Sequence, residues 1–325
     1  MKIKSIIRGA GGFVPGEPVS NTDLIARGVD TDDNWIRERT GIMTRHIAPP
    51  EMMTSDMAIA ASEIALKNAG VAAADIDLII LATTTPDNTF PATAMKVQTA
   101  LGCTPGIPAF DIQAVCSGFI YGLATANSYL QTGLAKRALI IGAETMSRVV
   151  DWTDRSTCVL FGDGAGAVVL EAAPEAEASG RGIISSHLHA DGRYGPKLYT
   201  DGGVAMNQRA GLLQMDGREV YRHAVTNLAE VVDEAILQNN FKYSDLDWLV
   251  PHQANIRILE STAKKLDMPM DKVIVNIDRY GNTSAASVPL ALAEGMNSGK
   301  IKEGELCLLE AMGAGFTWGA VLLRL

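Results

Sequence analysis

No stretch of this 325-residue chain approaches the ~20 consecutive apolar residues that a membrane-spanning helix needs. The opening Met1-Lys2-Ile3-Lys4 leads into an apolar run that Gly9, Gly11 and Gly12 interrupt, too short for the core of a secretory signal. Cysteine is scarce. The four stand at 103, 116, 158 and 307, and no two form a C-x-x-C pair, so zinc and dithiol readings get no support. No metal site is expected, and the expected compartment is the reducing cytoplasm. Positive charge is in the minority, with Lys plus Arg 28 against Asp plus Glu 37 and a net charge of −9. Such a chain as a whole is a poor nucleic-acid binder and is poorly suited to an anionic membrane surface. A composition of 47% apolar and 20% charged residues excludes a disordered or fibrous protein. At ~150 residues per domain, the length holds about two domains' worth of core.

Helical and strand patterns alternate through what is there. Residues 54–69 predict an amphipathic helix with a Thr/Ser cap and Gly70 as its stop. Leu78-Ile79-Ile80-Leu81 predicts a short buried strand, as do 107–113 and 137–142, and 116–130 predicts a helix rich in small residues. Strand, helix, strand at this spacing implies βαβ units and a buried parallel sheet. The order then repeats. A helix is predicted over 219–239, strands over 248–250, 272–277 and 305–310, and a helix over 284–297. Asp245-Leu246-Asp247 echoes Asp75-Ile76-Asp77, and Gly299 echoes Gly133. Each half ends in an apolar strand, at 166–170 and 319–323, which suggests an internal duplication. Residues 171–182 read as a linker, dividing the chain into 1–173 and 174–325. The glycine-rich stretch 190–211 is long enough to suggest a functional loop.

Cys116 lies where a predicted strand ends and a helix begins. A thiol at a helix N-terminus faces unpaired N–H groups and the positive end of the helix dipole, which lower its pKa. The alternative is an inert cysteine packed like a small apolar residue. His252 follows the strand 248–250, at the strand end outside which ligands of parallel sheets bind; a hydrogen-bonded structural histidine is the other reading. Asn282, in Tyr280-Gly281-Asn282-Thr283-Ser284, falls at what the repeat makes the duplicate of the Cys116 position, though Gly-Asn is also ordinary turn chemistry. Gly313-Ala314-Gly315 could aim backbone N–H groups at a substrate oxygen or be only a tight turn. His46, His187, His189 and His223 keep structural readings.

Taken in order, Asp33-Asn34-Trp35-Ile36 with Arg39-Thr40-Gly41-Ile42, Cys116-Ser117-Gly118-Phe119, Phe161-Gly162-Asp163-Gly164-Ala165-Gly166, Pro251-His252-Gln253-Ala254-Asn255, Gly281-Asn282-Thr283-Ser284-Ala285-Ala286-Ser287 and Gly315-Phe316-Thr317-Trp318-Gly319 resemble the β-ketoacyl-acyl-carrier-protein synthase III family of thiolase-like condensing enzymes. The resemblance implies an α/β fold, a thiolase-like duplicated five-layer αβαβα sandwich, that forms homodimers. It implies no cofactor, with a coenzyme A thioester as substrate. Cys116 would take the acyl group from acyl-CoA, and malonyl-acyl-carrier-protein would then lose CO2 and attack it. His252 and Asn282 would hydrogen-bond the thioester oxygen where enolate charge develops. The N–H groups of Cys116 and Ala314 would form the oxyanion hole. Trp35 and Arg155 would stack the adenine of CoA, with Thr31 and Arg39 nearby, Asn255 on the pantetheine arm and Arg218 a further CoA-binding residue at the tunnel mouth. Phe90, Phe161 and Met215 would shape the acyl pocket, with Phe90 reaching across the dimer. Arg218, Tyr221 and Met312 depart from the family's commoner residues, which leaves chain-length preference open.

A carrier protein is acidic, so it needs a basic landing site. Arg257, Lys264 and Lys265 are spaced for one helix face, and Arg222 would join them. A merely solvated face is the alternative. Competing functions are a related acyltransferase, a secondary-metabolite condensing enzyme of the same fold, a cysteine thioesterase and a non-catalytic CoA-binding member. Asn282 cannot act as the base that hydrolysis needs.

Overall fold

In the computed structural model, which describes residues 2–325, eleven strands and seven helices position the site. In chain order they are β1 (Ile3–Phe13), α1 (Asp33–Thr40), α2 (Thr54–Ala69), β2 (Leu78–Ala82), α3 (Thr93–Leu101), β3 (Ala109–Ile112), α4 (Gly118–Gln131), β4 (Arg137–Glu144), β5 (Gly164–Pro174), β6 (Gly182–Ala190), β7 (Leu198–Thr200), β8 (Leu213–Met215), α5 (Gly217–Gln238), β9 (Trp248–Pro251), α6 (Ile256–Lys265), α7 (Ser287–Asn297), β10 (Leu306–Gly313) and β11 (Thr317–Arg324). Two-residue strands and short helical turns connect them.

The first sheet has the order β1-β5-β4-β2-β3. Its first two pairings are antiparallel and its last two parallel. The second sheet has the order β6-β11-β10-β9, with the same succession of two antiparallel pairings and then a parallel one. Where a fifth strand would complete the match, Val273 makes one parallel bridge to Leu249. The strand expected over 272–277 therefore shrinks to a single bridge. Gln253 supplies the reason. Its side-chain N–H2 donates to the carbonyls of Pro251 and Ile274, and its oxygen accepts from the N–H groups of Asn276 and Ile277. One side chain thus satisfies backbone groups that a ladder would otherwise have to pair.

Alternation along the strands builds the layers. In β2, Leu78 and Ile80 face the space between the sheets, where α4 and α7 lie with Phe119, Leu123, Val288 and Leu292. Ile79 and Leu81 face the other way, onto α2 and α3. The second sheet repeats this, with Cys307 and Leu309 inward and Leu306 and Leu308 outward against α5 and α6. The result is the five-layer αβαβα sandwich. Both faces of each sheet are covered, which is why the strands read as nearly continuous apolar runs. Phe119 is wholly buried in the central layer; truncating it to Ala would cost about 3–5 kcal/mol.

Several local expectations are corrected. Helix α2 does span 54–69 and stops at Gly70 in the left-handed region, but its N-cap is Met53. The Thr54 and Ser55 hydroxyls are taken instead by the Thr85 carbonyl and the Asp87 carboxylate, both at 2.6 Å. The helix expected from 116 begins as a 3-10 turn at Val115–Ser117 and becomes α-helical only at Gly118. Strand β5 continues to Pro174 and β6 starts at Gly182, so only 175–181 of the expected linker lies outside the sheets. The stretch 190–211 is not structureless, since it carries β7, which pairs with β8 as a small antiparallel ribbon. The duplicate of Cys116 is Ala285, not Asn282. Val115–Ser117 leads into α4 as Ser284–Ala286 leads into α7, and Asn282 precedes that second turn.

Candidate active site

A cavity of about 520 Å³ opens where the two sheets' strand ends converge, and Cys116, His252 and Asn282 all line it. Three different constructions bring them there.

Cys116 sits in the turn between β3 and α4. Val115 before it has φ 49°, rare for a β-branched residue and a local strain that its surroundings must hold. The end of β10 lies against this turn. A side-chain carbon on Gly313 would come within 2.7 Å of the Cys116 nitrogen, so only glycine fits there. The expectation of a lowered thiol pKa is overturned. Burial pushes the Cys116 thiol up to about 12, with the nearby Glu144 carboxyl adding to the rise. Desolvation outweighs the helix end.

His252 follows β9 directly, and its N–H donates to the Glu310 carbonyl of β10 at 2.8 Å. The next residue is pinned by a 2.6 Å bond from the Gln253 N–H to the Ser287 hydroxyl. Burial depresses the imidazole to about 3, so His252 is neutral at physiological pH, and its Nδ1 has no partner among the described residues. Asn282 is clamped by backbone on both sides, with its N–H on the Leu160 carbonyl and its carbonyl on the Gly162 N–H. Its side-chain oxygen accepts from the Ser284 N–H at 2.9 Å. The amide N–H2 is thereby left as the group free to meet a substrate oxygen. The site thus offers a buried thiol and two neutral donors, with no ionised base lining it among these three.

The remaining expected residues divide. Trp35, Arg39 and Asn255 line the cavity. The Arg155 guanidinium lies 5.4 Å and that of Arg39 6.0 Å from the centre of the Trp35 ring. Arg155 also donates to the Asp30 carbonyl, next to Thr31. Thr31 and Arg218 do not line the cavity. Phe161, Met215, Met312 and Tyr221 do. Phe90 does not; it stands 83% exposed on the surface of its own chain. Gly313 lines the cavity while Ala314, the next residue, does not. Arg257, Lys264 and Lys265 are exposed on α6. Arg257 lines the cavity and donates to the Glu38 carbonyl, tying α6 to α1. Arg222 is exposed but already paired with Glu219 at 2.6 Å. His46, His187, His189 and His223 lie elsewhere, on carbonyls, on Glu234 and between aromatic rings.

Sequence reasoning missed Leu198 and Leu213, which the β7–β8 ribbon brings to the cavity wall. It also missed Glu144, a wholly buried carboxyl at the end of β4. Its signal was the run Thr83-Thr84-Thr85 at the end of β2, since consecutive hydroxyls at a buried strand end ask for an acceptor.

Comparison with known proteins agrees with this architecture. The family model described as 3-oxoacyl-[acyl-carrier-protein (ACP)] synthase III matches residues 110–192, and the one described as its C terminal matches residues 236–325. A β-ketoacyl-[acyl-carrier-protein] synthase III of Rhodospirillum rubrum is 59% identical over 323 residues, covering 99% of each chain. The chain belongs to the 3-oxoacyl-[acyl-carrier-protein] synthase III family. The crystal structure of the Aquifex aeolicus member superposes with a TM-score of 0.93 at 46% identity, covering 99% of this chain and 100% of that one. The priming β-ketosynthase of the R1128 polyketide biosynthetic pathway superposes with a TM-score of 0.91 at 33% identity, covering 99% of this chain and 97% of that one. The thiolase-like fold and the assignment to condensing enzymes, which are acyltransferases, follow from these relationships.

Proposed function

We propose that this chain is the initiating condensing enzyme of type II fatty acid synthesis, and that Cys116, His252 and Asn282 divide its two stages. In the first, the Cys116 sulfur attacks an acyl-CoA thioester and keeps the acyl group as CoA leaves. In the second, malonyl-acyl-carrier-protein loses CO2, and the resulting carbanion attacks the acyl-cysteine to give 3-ketoacyl-acyl-carrier-protein. Decarboxylation puts negative charge on the thioester oxygen. Two fixed neutral donors in a buried pocket stabilise that charge where mobile water would have to reorient. Neutral His252 and the free amide N–H2 of Asn282 supply them. The single observation that carries this reading is that the thiol and both donors line one cavity. No cofactor takes part.

The Cys116 and Ala314 N–H groups are the proposed oxyanion hole, supported by the closeness of β10 to the Cys116 turn. Trp35, Arg39, Arg155 and Asn255 are proposed to hold CoA at the mouth, with Thr31 and Arg218 at its edge. Phe161 and Met215 would bound the acyl chain. Phe90, too exposed to serve its own cavity, fits the homodimer reading, in which it reaches the partner's pocket. The halves 1–173 and 174–325 are proposed as the two copies of the duplicated fold. Among the described residues no helix is long and apolar enough to cross a membrane, and a cytoplasmic location is proposed. Arg222, Arg257, Lys264 and Lys265 are the proposed carrier landing site. Reversing Lys264 and Lys265 to Glu should raise the KM for malonyl-carrier-protein several-fold and leave acylation by acyl-CoA unchanged, and equal carrier kinetics would remove those two lysines from the site.

Incubation with a panel of acyl-CoAs, intact-mass measurement and then addition of malonyl-carrier-protein tests the whole scheme. The expected result is an adduct on Cys116 that the carrier discharges as 3-ketoacyl product. Absence of an adduct with every primer would sink it. Similarity to a priming polyketide ketosynthase favours one second reading, a secondary-metabolite condensing enzyme or related acyltransferase. An adduct that malonyl-carrier-protein cannot discharge would support that instead.

A further inference from the structure

Asn282 is held by neither sheet. Its backbone makes one parallel bridge with Phe161, through the Leu160 carbonyl at 2.8 Å and the Gly162 N–H at 3.0 Å. The segment 159–162 therefore decides where the Asn282 amide stands, and Arg45 stands behind that segment, wholly buried. Its Nη2 donates to the Val159 carbonyl at 2.8 Å. Its Nη1 donates to the Asn21 side-chain oxygen at 2.8 Å and to the Val19 carbonyl at 3.3 Å. The stem lies along both sides of the bridge. A side-chain carbon on Gly162 would come within 3.1 Å of the Arg45 Cβ, and one on Gly281 within 3.4 Å. The residues flanking Arg45 tie to the same two segments. The Asp163 N–H donates to the His46 carbonyl at 2.9 Å, and the Thr44 hydroxyl donates to the Arg279 carbonyl at 2.8 Å. Asp33 does not neutralise the guanidinium, since it accepts from Asn21 and pairs with Arg37 at 2.8 Å. Burial lowers Arg45 to about 10, which leaves it charged at neutral pH. A buried cation without an ion-pair partner costs free energy that a plain apolar side chain would not. Its planar fork, which reaches acceptors on two separate segments, is what the site gains from it.

We propose that Arg45 is a positioning residue for condensation, a buried strut that holds the segment 159–162 and through it the donor amide of Asn282. The inference rests on the division of stages proposed above. Arg45 does not line the cavity and touches no substrate. None of its hydrogen bonds goes to the Cys116 turn or to the His252 segment, which β10 and Ser287 hold by other contacts. Loss of the strut should therefore separate the two stages. The acyl group can still reach the thiol, while one of the two donors that meet the enolate oxygen is displaced. A donor moved by about 1 Å loses most of its worth, because stabilisation of developing charge depends on a fixed short distance.

The test measures single-turnover acylation by intact mass, with acetyl-CoA or the shortest acyl-CoA that labels the wild type, and then discharge of the acyl-enzyme by malonyl-carrier-protein. Arg45→Met should slow discharge about 10–100-fold at saturating carrier with the half-saturating concentration unchanged, and change acylation less than about threefold. In an Asn282→Ala background Arg45→Met should slow discharge no further, since both changes remove one donor. Multiplying losses would overturn the proposal, as would equal loss of both stages, which marks a general loosening. A crystal structure of Arg45→Met should show the Phe161–Asn282 bridge displaced, and an unmoved Asn282 would also overturn it. Should Arg45→Met fail to fold, Arg45→Lys decides alone, because it keeps the charge and most of the stem but loses the fork; wild-type discharge there rejects the strut. A wild type that takes no acyl group would instead reject the proposed function, so the two failures are distinguishable.

Discussion

The turns Val115–Ser117 and Ser284–Ala286 use one backbone design twice, with different chemistry. Val115 has φ 49° and Ser284 φ 50°, and each turn opens a helix of the central layer. Each presses on the last residues of a strand in the opposite half, where only glycine fits. A side-chain carbon on Gly313 would crowd the Cys116 nitrogen, and one on Gly142 would collide with the Ala285 carbonyl. Yet one turn presents a thiol to the cavity and the other an alanine to the interior. The duplicated fold supplies two equivalent strained turns. Their surroundings differ, and Asn282 from the second half lines one cavity with Cys116 from the first.

Removing the thiol should have the largest effect. Cys116→Ala should abolish the acyl adduct, and Ala285→Cys added to that variant should not restore it, because Ala285 is buried and lines no part of the cavity. An adduct on the thiol so introduced would show that the turns are interchangeable. Next comes Asn282→Asp, which replaces a donor with an acceptor where negative charge develops. Condensation should fall about 10²–10³-fold while acylation survives; equal loss of both stages would deny the division of labour. Gly313→Ala and Gly142→Ala form a matched pair. Each should cost about 1–3 kcal/mol by overpacking, read from thermal melts. Only Gly313→Ala should also slow acylation, since only it displaces the Cys116 backbone.

The smallest effect concerns two buried carboxyls, one in each sheet. Glu144 has a full set of donors, whereas both oxygens of Glu310 are buried without a partner among the described residues. Burial alone raises Glu310 to about 8 from its usual 4.5. Between those values the folded state holds a proton that the unfolded state has lost, so the group's contribution to stability falls as pH rises through this window. Glu310→Gln should therefore raise the melting temperature more at pH 9 than at pH 5. His252 works in the opposite sense. Its pKa falls from 6.5 to about 3 on burial, so its contribution is lost as pH drops through that range. A melting difference for Glu310→Gln that is independent of pH would mean that the carboxyl finds partners in solution.

Much of this was legible in the residues. The apolar runs at 78–82 and 306–313 announce buried strands because both their faces are covered, and the repeated order of elements announces the duplication. Cys116 and His252 were legible because each follows a strand pattern at its C-terminal end, whereas Asn282, which no strand precedes, was reached through the motif Gly281-Asn282-Thr283-Ser284. The strand over 272–277 was misread because a single side chain, Gln253, replaces its ladder, and periodicity does not record long-range side-chain bonds. The lowered thiol pKa was misjudged because a helix end is visible in sequence while desolvation is not. Glu144 escaped notice because its partners are Thr83–Thr85 and Ser284, the last 140 residues away.

The sequence by itself determined the buried strands and their repeated order, since these follow from local patterning, and it marked Cys116, His252 and Asn282 as candidates. Only the tertiary structure decided how those groups behave. Burial raises the pKa of the Cys116 thiol and keeps His252 neutral, and the Ser284 backbone N–H fixes which end of the Asn282 amide faces the cavity. Protonation and orientation depend on neighbours brought together across both halves, and those neighbours are set by packing.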